Sequence, residues 1–172
     1  MDRAELAKYV DHTLLKPEAT ADDVIALCNE ANELGVFSVC VSPSFVQLAK
    51  ANVGSGVAVA TVCGFPSGKH ETEIKAAEAA LSISQGVDEV DMVIDVGRGI
   101  MGDWDYVQSQ ISAVRKATQG KILKVILETA ALNDDQIKNA CLASDFAGAD
   151  FVKTSTGFHP TGGAELRAIK IM

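Results

Sequence analysis

The sequence predicts an α/β fold of the (β/α)8 barrel type, with about six strand–helix units in a single domain over residues 1–172. Short apolar runs rich in Val and Ile alternate with segments of helical period, the pattern of parallel strands joined by helices. Each unit occupies roughly 25 to 35 residues, the usual size of such a repeat. No Pro/Ser-rich linker or block of charge divides the units, which favours one domain.

The first two units carry clear signals for strands and helices. After a short first helix, residues 9–15 are predicted to form strand one, and Thr20 is predicted to cap a helix that Gly35 ends. That helix has an apolar stripe at helical spacing, formed by Val24, Leu27, Cys28, Ala31 and Leu34. The second unit is predicted to have a strand over 36–41 and a helix over 44–51.

The later units repeat this order. Strands are predicted over residues 57–63, 89–95, 121–128 and 150–155. Helices are predicted over residues 71–85, from 104 onward, 134–147 and 164–171. Asp103 is the expected cap of the helix that begins at residue 104, in the fourth unit, and the glycines that precede it are expected to form a turn.

Six units are fewer than the eight that close a barrel of typically ~250 residues, so the barrel is expected to be incomplete at its carboxyl-terminal side. A doubly wound open sheet is the alternative, but strand one is not followed by a Gly-x-Gly-x-x-Gly phosphate turn. An unclosed barrel would expose strand edges and inward apolar residues such as Val93, Ile126 and Phe151. The chain is therefore expected to form a homo-oligomer.

Composition argues against several classes of function. A formal charge of −8 disfavours nucleic acid as a partner, because phosphate contacts need a face rich in Lys and Arg. No apolar run approaches the roughly 20 residues that span a bilayer, and no signal peptide is evident, so a cytoplasmic protein without a membrane partner is expected. The four cysteines and three histidines lack the spacing of metal ligands, so no metal site is expected.

Charged residues occur inside three of the predicted strands, where apolar side chains are the rule. The period-two alternation places Asp91, Val93 and Asp95 on the inward face of one strand. The same alternation points Lys124 inward on the next strand and Lys153 inward on the one after. A buried structural ion pair would explain one such charge, whereas an Asp and two Lys on consecutive strands favour chemistry.

Two inward lysines suggest a specific reaction. An ammonium beside another ammonium in a low-dielectric interior is disfavoured, so the pKa of Lys153 is expected to fall and to leave some free amine near neutral pH. A free amine attacks carbonyl carbon, and a nearby carboxylate such as Asp91 can carry the protons. The pattern therefore predicts Schiff-base catalysis.

Six segments in order along the chain resemble the deoxyribose-phosphate aldolase family. They are residues 11–16 (DHTLLK), 38–43 (SVCVSP), 64–68 (GFPSG), 88–93 (DEVDMV), 124–129 (KVILET) and 151–157 (FVKTSTG). The resemblance extends over the whole chain. It implies a (β/α)8 barrel and the reversible cleavage of 2-deoxy-D-ribose 5-phosphate to acetaldehyde and D-glyceraldehyde 3-phosphate. It also implies that no cofactor is needed.

The resemblance assigns roles to individual residues. Lys153 resembles the lysine that forms the imine, and Asp91 resembles the residue that donates and accepts protons there. Lys124 resembles a pocket lysine that tunes Lys153 or contacts a substrate hydroxyl. Three groups of pocket-lining positions complete the set: Asp11, Cys40, and the Thr156–Gly157 pair. For Cys40, a buried apolar role is an equally good explanation.

The family pattern also contains parts that this sequence does not show. A seventh strand carries a second lysine in a Lys-x-x-Gly-Gly-type segment, and an eighth unit supplies phosphate contacts. Lys124 is a hypothetical replacement for that second cation. A catalytically silent, self-associating fragment or binding module is therefore kept as the alternative to an aldolase, and a different phosphosugar-handling barrel is disfavoured by the inward Asp91 and Lys153.

Overall fold

The six strands pair in chain order into one parallel sheet that curls around a common interior. The computed structural model describes residues 1–118 and 120–172. Its strands are β1 Asp11–Leu14, β2 Ser38–Val41, β3 Ala58–Cys63, β4 Glu89–Val93, β5 Ile122–Ile126 and β6 Phe151–Lys153. This order is that of a barrel wall, because a doubly wound sheet reverses its strand order at a switch point.

Helices follow the strands and cover the outside of the sheet. They are α1 Arg3–Ala7, α2 Ala21–Leu34, α3 Val46–Asn52, α4 Thr72–Ser84, α5 Val96–Met101, α6 Trp104–Ala117, α7 Asp134–Phe146 and α8 Leu166–Ile171. Two short 3-10 helices, Pro43–Phe45 and Thr129–Ala131, follow β2 and β5. No helix within the described residues is both long enough and apolar enough to cross a membrane.

The ends of α2 form as the sequence predicts. Thr20 accepts a hydrogen bond from the backbone N–H of Asp23, and the Asp23 side chain accepts one from the Thr20 backbone, which is a reciprocal capping box. Gly35 ends the helix in the left-handed conformation at φ +62°, which a residue without Cβ adopts at little cost.

The outer face of the sheet and the inner faces of the helices form the main apolar core. On β4 and β5 the predicted outward set is fully buried in this core: Val90, Met92, Ile94, Leu123, Val125 and Leu127. The period-two assignment of these two strands is thus confirmed. The other parity is left to line the interior, which positions the charged side chains.

The segment after β4 differs from its prediction. β4 ends at Val93, so Asp95 is not an inward strand residue; its side chain instead accepts a hydrogen bond from the Arg98 backbone and caps α5. The glycines that were expected to form a turn instead lie in this helix, α5, or at its end. The Trp104 ring packs beside Gly99 of this helix, about 3.4 Å from where a Cβ would lie.

The inward apolar residues are also better covered than expected. Val93 and Ile126 are buried, at 0% and 2% exposed, whereas Phe151 is 56% exposed. The charged side chains described below fill much of the curled interior. Of the three, only Phe151 on β6, the strand at one end of the sheet, is strongly exposed.

A buried lysine lies between the sheet and helices α4 and α6. Lys75 is fully buried, and its Nζ donates to the Val93 carbonyl oxygen at 2.7 Å and to Gln110 Oε1 at 2.6 Å. Gly64 makes room for it, since a Cβ there would lie 2.6 Å from Lys75 Cε. Burial lowers the pKa of Lys75 to about 8.

Candidate active site

Lys153 and Asp91 form a direct ion pair inside the curled sheet. Lys153 Nζ lies 2.5 Å from Asp91 Oδ2, although 62 residues separate the two in the chain. Asp91 is almost completely buried, and its side chain is 1% exposed. The other oxygen, Asp91 Oδ1, has no hydrogen-bond partner among the described residues. The pair therefore combines an amine with a carboxylate that has one oxygen left to act on a bound molecule.

A second ion cluster lies next to this pair, toward the amino-terminal ends of the strands. Lys124 Nζ contacts Asp11 Oδ2 at 2.7 Å and Glu89 Oε2 at 2.5 Å. Ser38 donates its hydroxyl hydrogen to Asp11 Oδ1 at 2.8 Å. Asp11 Oδ2 is also 3.8 Å from Lys153 Nζ, so this carboxylate lies between the two ammonium groups.

Two cavities meet at Lys153. The one at the carboxyl ends of the strands measures about 290 Å³, and its walls include Cys40, Asp91, Lys153, Thr156 and Gly157. The one at the amino ends measures about 440 Å³, and its walls include Asp11, Glu89, Lys124 and Lys153. Barrel enzymes bind substrates at the carboxyl ends of their strands, so the first cavity is the candidate substrate site and the second holds supporting charges.

The pKa of Lys153 runs opposite to the sequence-based prediction. Burial opposes its charged form, but the carboxylate of Asp91, with help from Asp11, raises its pKa above the ordinary lysine value. Lys124 is likewise held charged, because Asp91, Asp11 and Glu89 together outweigh its burial. The expectation that the second ammonium frees the Lys153 amine is therefore wrong: carboxylates outnumber lysines in the interior, and they decide the sign.

The carboxylates respond differently to their positions. Burial raises the pKa of Asp91, and it also raises the pKa of Glu89. Burial alone would raise the pKa of Asp11 too, but hydrogen bonds from Lys124 and Ser38 hold it below its usual value. Asp91 is thus a carboxylate with an increased tendency to take a proton, and it touches an amine that has one to give.

Cys40 lies in the wall of the cavity at the carboxyl ends. Burial raises the pKa of its thiol to about 12, and the neighbouring Asp91 carboxylate adds to the shift. A thiol in this state stays protonated near neutral pH, and the thiolate is the reactive form. The geometry therefore favours Cys40 as a small buried wall residue, one of the two explanations that the sequence left open.

The loop after β6 carries Thr156 and Gly157 and is tied to the end of β5. Glu128, at φ +57°, turns its buried carboxylate toward this loop and accepts hydrogen bonds from the backbone N–H and the hydroxyl of Thr156. The Thr156 hydroxyl oxygen accepts in turn from the Phe158 backbone at 3.0 Å. Because the Thr156 donors point to Glu128, the backbone N–H of Gly157 is the better candidate for contact with a phosphate.

A second loop, residues 64–68, closes the other side of the cavity at the carboxyl ends. Phe65 on this loop packs edge to face against Phe158, with ring centroids 5.3 Å apart. Gly68 has φ +68°, and a Cβ there would lie 1.8 Å from the Ile94 carbonyl oxygen. The loop is therefore pressed directly against the end of β4, the strand that carries Asp91.

Glu89, Glu128 and Lys75 were given no role by the sequence analysis, although the structure places each in a buried polar network. The period-two alternation that selects Asp91 also selects Glu89, so the signal was present. Glu128 has the same inward parity as Lys124. Lys75 shares the buried stripe of α4 with Ala79 and Ser82, at spacings of four and three residues. No group of three or more His, Cys, Asp or Glu side chains in residues 1–118 and 120–172 is arranged to hold a metal ion.

Comparison with known proteins gives a consistent result. The family model described as DeoC/LacD family aldolase matches residues 5–171. A deoxyribose-phosphate aldolase of Kocuria rhizophila is 59% identical over 171 residues, which cover 99% of this chain and 77% of that protein. One of Mycolicibacterium paratuberculosis is 58% identical over 174 residues, which cover 99% of this chain and 78% of that protein.

Solved structures agree with this result. The aldolase QR15 superposes with a TM-score of 0.92 at 35% identity, covering 97% of this chain and 75% of that one. A tetrameric deoxyribose phosphate aldolase from Aeropyrum pernix gives a TM-score of 0.83 at 34% identity, covering 92% of this chain and 67% of that one. These structures confirm the predicted barrel-type α/β fold, incomplete in this chain. The resemblance read from six sequence segments is confirmed as well: the chain belongs to the DeoC/LacD family of aldolases.

Proposed function

We propose that this chain is a class I aldolase that reversibly cleaves 2-deoxy-D-ribose 5-phosphate to acetaldehyde and D-glyceraldehyde 3-phosphate. The observation that supports it most is the contact of 2.5 Å between Lys153 Nζ and Asp91 Oδ2 in the wall of the cavity at the carboxyl ends of the strands. Relatives at 58–59% identity carry the name of this enzyme, a carbon–carbon lyase.

The first step is a proton transfer within the ion pair. The Lys153 ammonium gives a proton to Asp91, whose pKa burial has raised, and a neutral amine and a neutral carboxylic acid result. Neither product carries a charge, so the low-dielectric interior favours this state more than water would. The amine is then free to attack the aldehyde carbon of the open-chain sugar, and no metal or organic cofactor is needed.

The later steps use the same two groups. Addition of the amine to the aldehyde gives a carbinolamine, and a proton from Asp91 lets its hydroxyl leave as water to form the protonated imine. Asp91, now a carboxylate again, takes the proton of the sugar's C3 hydroxyl as the C2–C3 bond breaks. This step releases D-glyceraldehyde 3-phosphate and leaves an enamine on Lys153. Protonation of the enamine carbon and hydrolysis of the imine release acetaldehyde.

The remaining predicted residues support these steps. Asp11 and Lys124 set the charge beside Lys153, and Cys40 fills the cavity wall. Gly157, at the carboxyl end of the lysine strand, offers its backbone N–H to the phosphate, as glycines in such loops commonly do. The four free cysteines suit a reducing compartment, so we place the reaction in the cytosol.

We also propose that the chain works as a homo-oligomer. The Aeropyrum pernix relative is described as a tetramer, and Tyr9, Phe37 and Phe151 form an exposed apolar group around the cavity at the amino ends. An exposed patch of this kind favours association. Sedimentation velocity is expected to show a species heavier than the monomer, and a single monomer peak across the concentration range would contradict this.

A silent binding module is the second candidate, and the closed ion pair favours it. An amine that stays protonated against Asp91 would not attack a carbonyl. Incubation with acetaldehyde and a borohydride reductant, followed by peptide mass analysis, separates the two candidates. The aldolase is expected to carry an ethyl group on the peptide that contains Lys153.

The controls for this experiment are two variants. Lys153→Met is expected to abolish the adduct, whereas Lys116→Met, which removes an exposed lysine of α6, is expected to keep it. Absence of an adduct on the folded parent chain would support the silent module.

A further inference from the structure

Glu89 is a buried carboxylate that the catalytic steps do not use. It is the first residue of β4, its side chain is 1% exposed, and its Oε2 lies 2.5 Å from Lys124 Nζ. Burying a carboxylate in a protein interior is costly unless it is paired with a cation. Glu89 lies on the amino-terminal side of the Lys153–Asp91 pair and touches no substrate in the proposed mechanism. Its contact with Lys124 therefore suggests that it acts through that lysine.

The strand register shows what Glu89 does to Lys124. On the paired strands β4 and β5, Lys124 stands level with Asp91, yet its ammonium is held two residues lower, at Glu89. Lys153 follows the same rule: it stands level with Ile126, which is level with Val93, and its ammonium reaches down to Asp91. Each lysine therefore pairs with a carboxylate that lies two residues closer to the amino end of β4 than its own register partner.

Because of this offset, Asp91 pairs with Lys153 and not with Lys124. Without Glu89, the nearest carboxylate on β4 for Lys124 is Asp91, which is directly beside it in register. Asp91 has one oxygen without a partner in the part of the chain that the structure describes, so it has a free position for a second ammonium. Lys124 would then compete with Lys153 for the group that takes the Lys153 proton.

We propose that Glu89 is a positioning residue of the aldolase reaction, which holds Lys124 toward the amino ends of the strands and so reserves Asp91 for Lys153. The proposal rests on the aldolase function proposed above. It concerns a residue that acts through another residue, and it requires no contact between Glu89 and the sugar.

The charged and titratable groups around both lysines are few. Lys153 faces Asp91 on β4, Asp11 on β1 and Cys40 on β2, and it shares Asp11 with Lys124 on β5. Lys124 faces Glu89, Asp91 and Asp11. Lys8 and Tyr9 line the cavity at the amino ends beside them.

The test is the pH dependence of imine formation in the variant Glu89→Met, which keeps the volume but offers no acceptor. At each of a series of pH values, the imine that acetaldehyde forms on Lys153 is reduced with cyanoborohydride, and the ethylated peptide is measured by mass analysis. With Lys124 moved onto Asp91, the midpoint of the profile is expected at lower pH. The plateau at high pH is expected to fall by about tenfold, because an Asp91 held by Lys124 is a poorer proton donor for the loss of water from the carbinolamine.

A double variant shows whether Lys124 transmits the effect. In the Lys124→Met background no second ammonium can move onto Asp91. Adding Glu89→Met is therefore expected to change neither the midpoint nor the plateau of the pH profile. Glu89→Gln, which keeps an acceptor for Lys124, is expected to shift the profile less than Glu89→Met. The variant Glu73→Met makes the same change on the exposed face of α4 and is the matched control.

The outcomes separate this proposal from the function on which it rests. If the parent chain forms no adduct on Lys153, the aldolase function fails. If the parent forms the adduct but the profiles of Glu89→Met and Glu89→Gln match it, only the role of Glu89 is overturned. A shift that persists unchanged without Lys124 also overturns it. Should Glu89→Met fail to fold, Glu89→Gln and the double variant give the same decision.

Discussion

Two lysines that pack against opposite sides of β4, Lys75 fully buried and Lys153 partly buried, have pKa values that shift in opposite directions. Lys75, between the sheet and the helices, has neutral partners, the Val93 carbonyl and the Gln110 amide. Lys153, inside the curled sheet, has the carboxylate of Asp91 at 2.5 Å. Burial lowers the pKa of Lys75 to about 8, whereas the pKa of Lys153 is raised.

The comparison shows that burial alone does not decide the direction of a lysine's pKa shift here. Lys75 has the lowered pKa that is usually sought in a Schiff-base lysine, yet it lines neither of the two cavities at Lys153. Lys153 lies in the wall of the candidate substrate site. In the proposed mechanism its free amine comes from a proton transfer to Asp91 and not from an intrinsically low pKa, so position relative to the substrate and a matched proton acceptor decide which lysine reacts.

The largest expected effect comes from making the Lys153 environment resemble that of Lys75. In Asp91→Asn the nearest counter-ion is lost, so burial dominates and the pKa of Lys153 falls. The rate of adduct formation at high pH is nevertheless expected to fall by about a hundredfold or more, because the proton carrier is missing. The pH profile of acetaldehyde trapping measures both changes.

The control is Asp105→Asn, which removes an exposed carboxylate of α6 and is expected to leave the profile as it is. A midpoint that stays in place in Asp91→Asn would show that Asp91 does not set the pKa of Lys153.

An intermediate effect is expected on stability when Lys75 is replaced. Lys75→Met leaves the Val93 carbonyl and Gln110 Oε1 without their donor, at a cost of about 1–3 kcal/mol in the free energy of unfolding. Because the pKa of Lys75 is about 8 in the folded chain and 10.5 ordinarily, the unfolded chain binds more protons between these values. The parent should therefore gain stability from Lys75 as the pH rises from 8 to 10.5.

Denaturant unfolding of parent and variant across this pH range measures the difference, which is expected to widen as the pH rises. Lys116→Met, an exposed change on α6, should show no such widening. If the difference in the free energy of unfolding between parent and Lys75→Met stays constant with pH, the pKa of Lys75 is not lowered in the folded chain.

The smallest effect is expected from the carboxylate that lies farther from Lys153. Asp11 Oδ2 is 3.8 Å from Lys153 Nζ, against 2.5 Å for Asp91. Asp11→Asn is expected to lower the pKa of Lys153 slightly and to speed trapping about threefold below the midpoint of the pH profile. The same trapping series measures it. A shift as large as that of Asp91→Asn would show that distance does not rank the two carboxylates.

The placement of Lys124 and Lys153 inside the sheet could be predicted because it depends on local alternation along β5 and β6. The sign of their pKa shifts could not, because it depends on partners that the chain brings from far away. Asp11 lies 113 residues before Lys124. From the sequence, the two ammonium groups were expected to oppose each other and Asp91 only to carry protons, so the pKa of Lys153 was predicted to fall, whereas Asp91 and Asp11 raise it.

The helix α5 shows the limit of local signals in another way. Gly97 and Gly99 are poor helix residues, and the sequence around them reads as a turn. Asp95 caps the helix, and the Trp104 ring packs against it beside Gly99. The Asp95 cap is a local signal that the sequence interpretation missed, whereas the packing of Trp104 is visible only in the structure.

The close approach of Gly68 to the Ile94 carbonyl has a practical consequence for redesign of the pocket. A saturation library over residues 64–68 aimed at other aldehydes would find room at the exposed Ser67, whereas any side chain at 68 meets a backbone atom within 1.8 Å. Accepting a substitution there would displace the strand end next to Asp91. Changes of specificity through this loop are therefore limited to positions other than 68, such as Phe65 in the cavity wall.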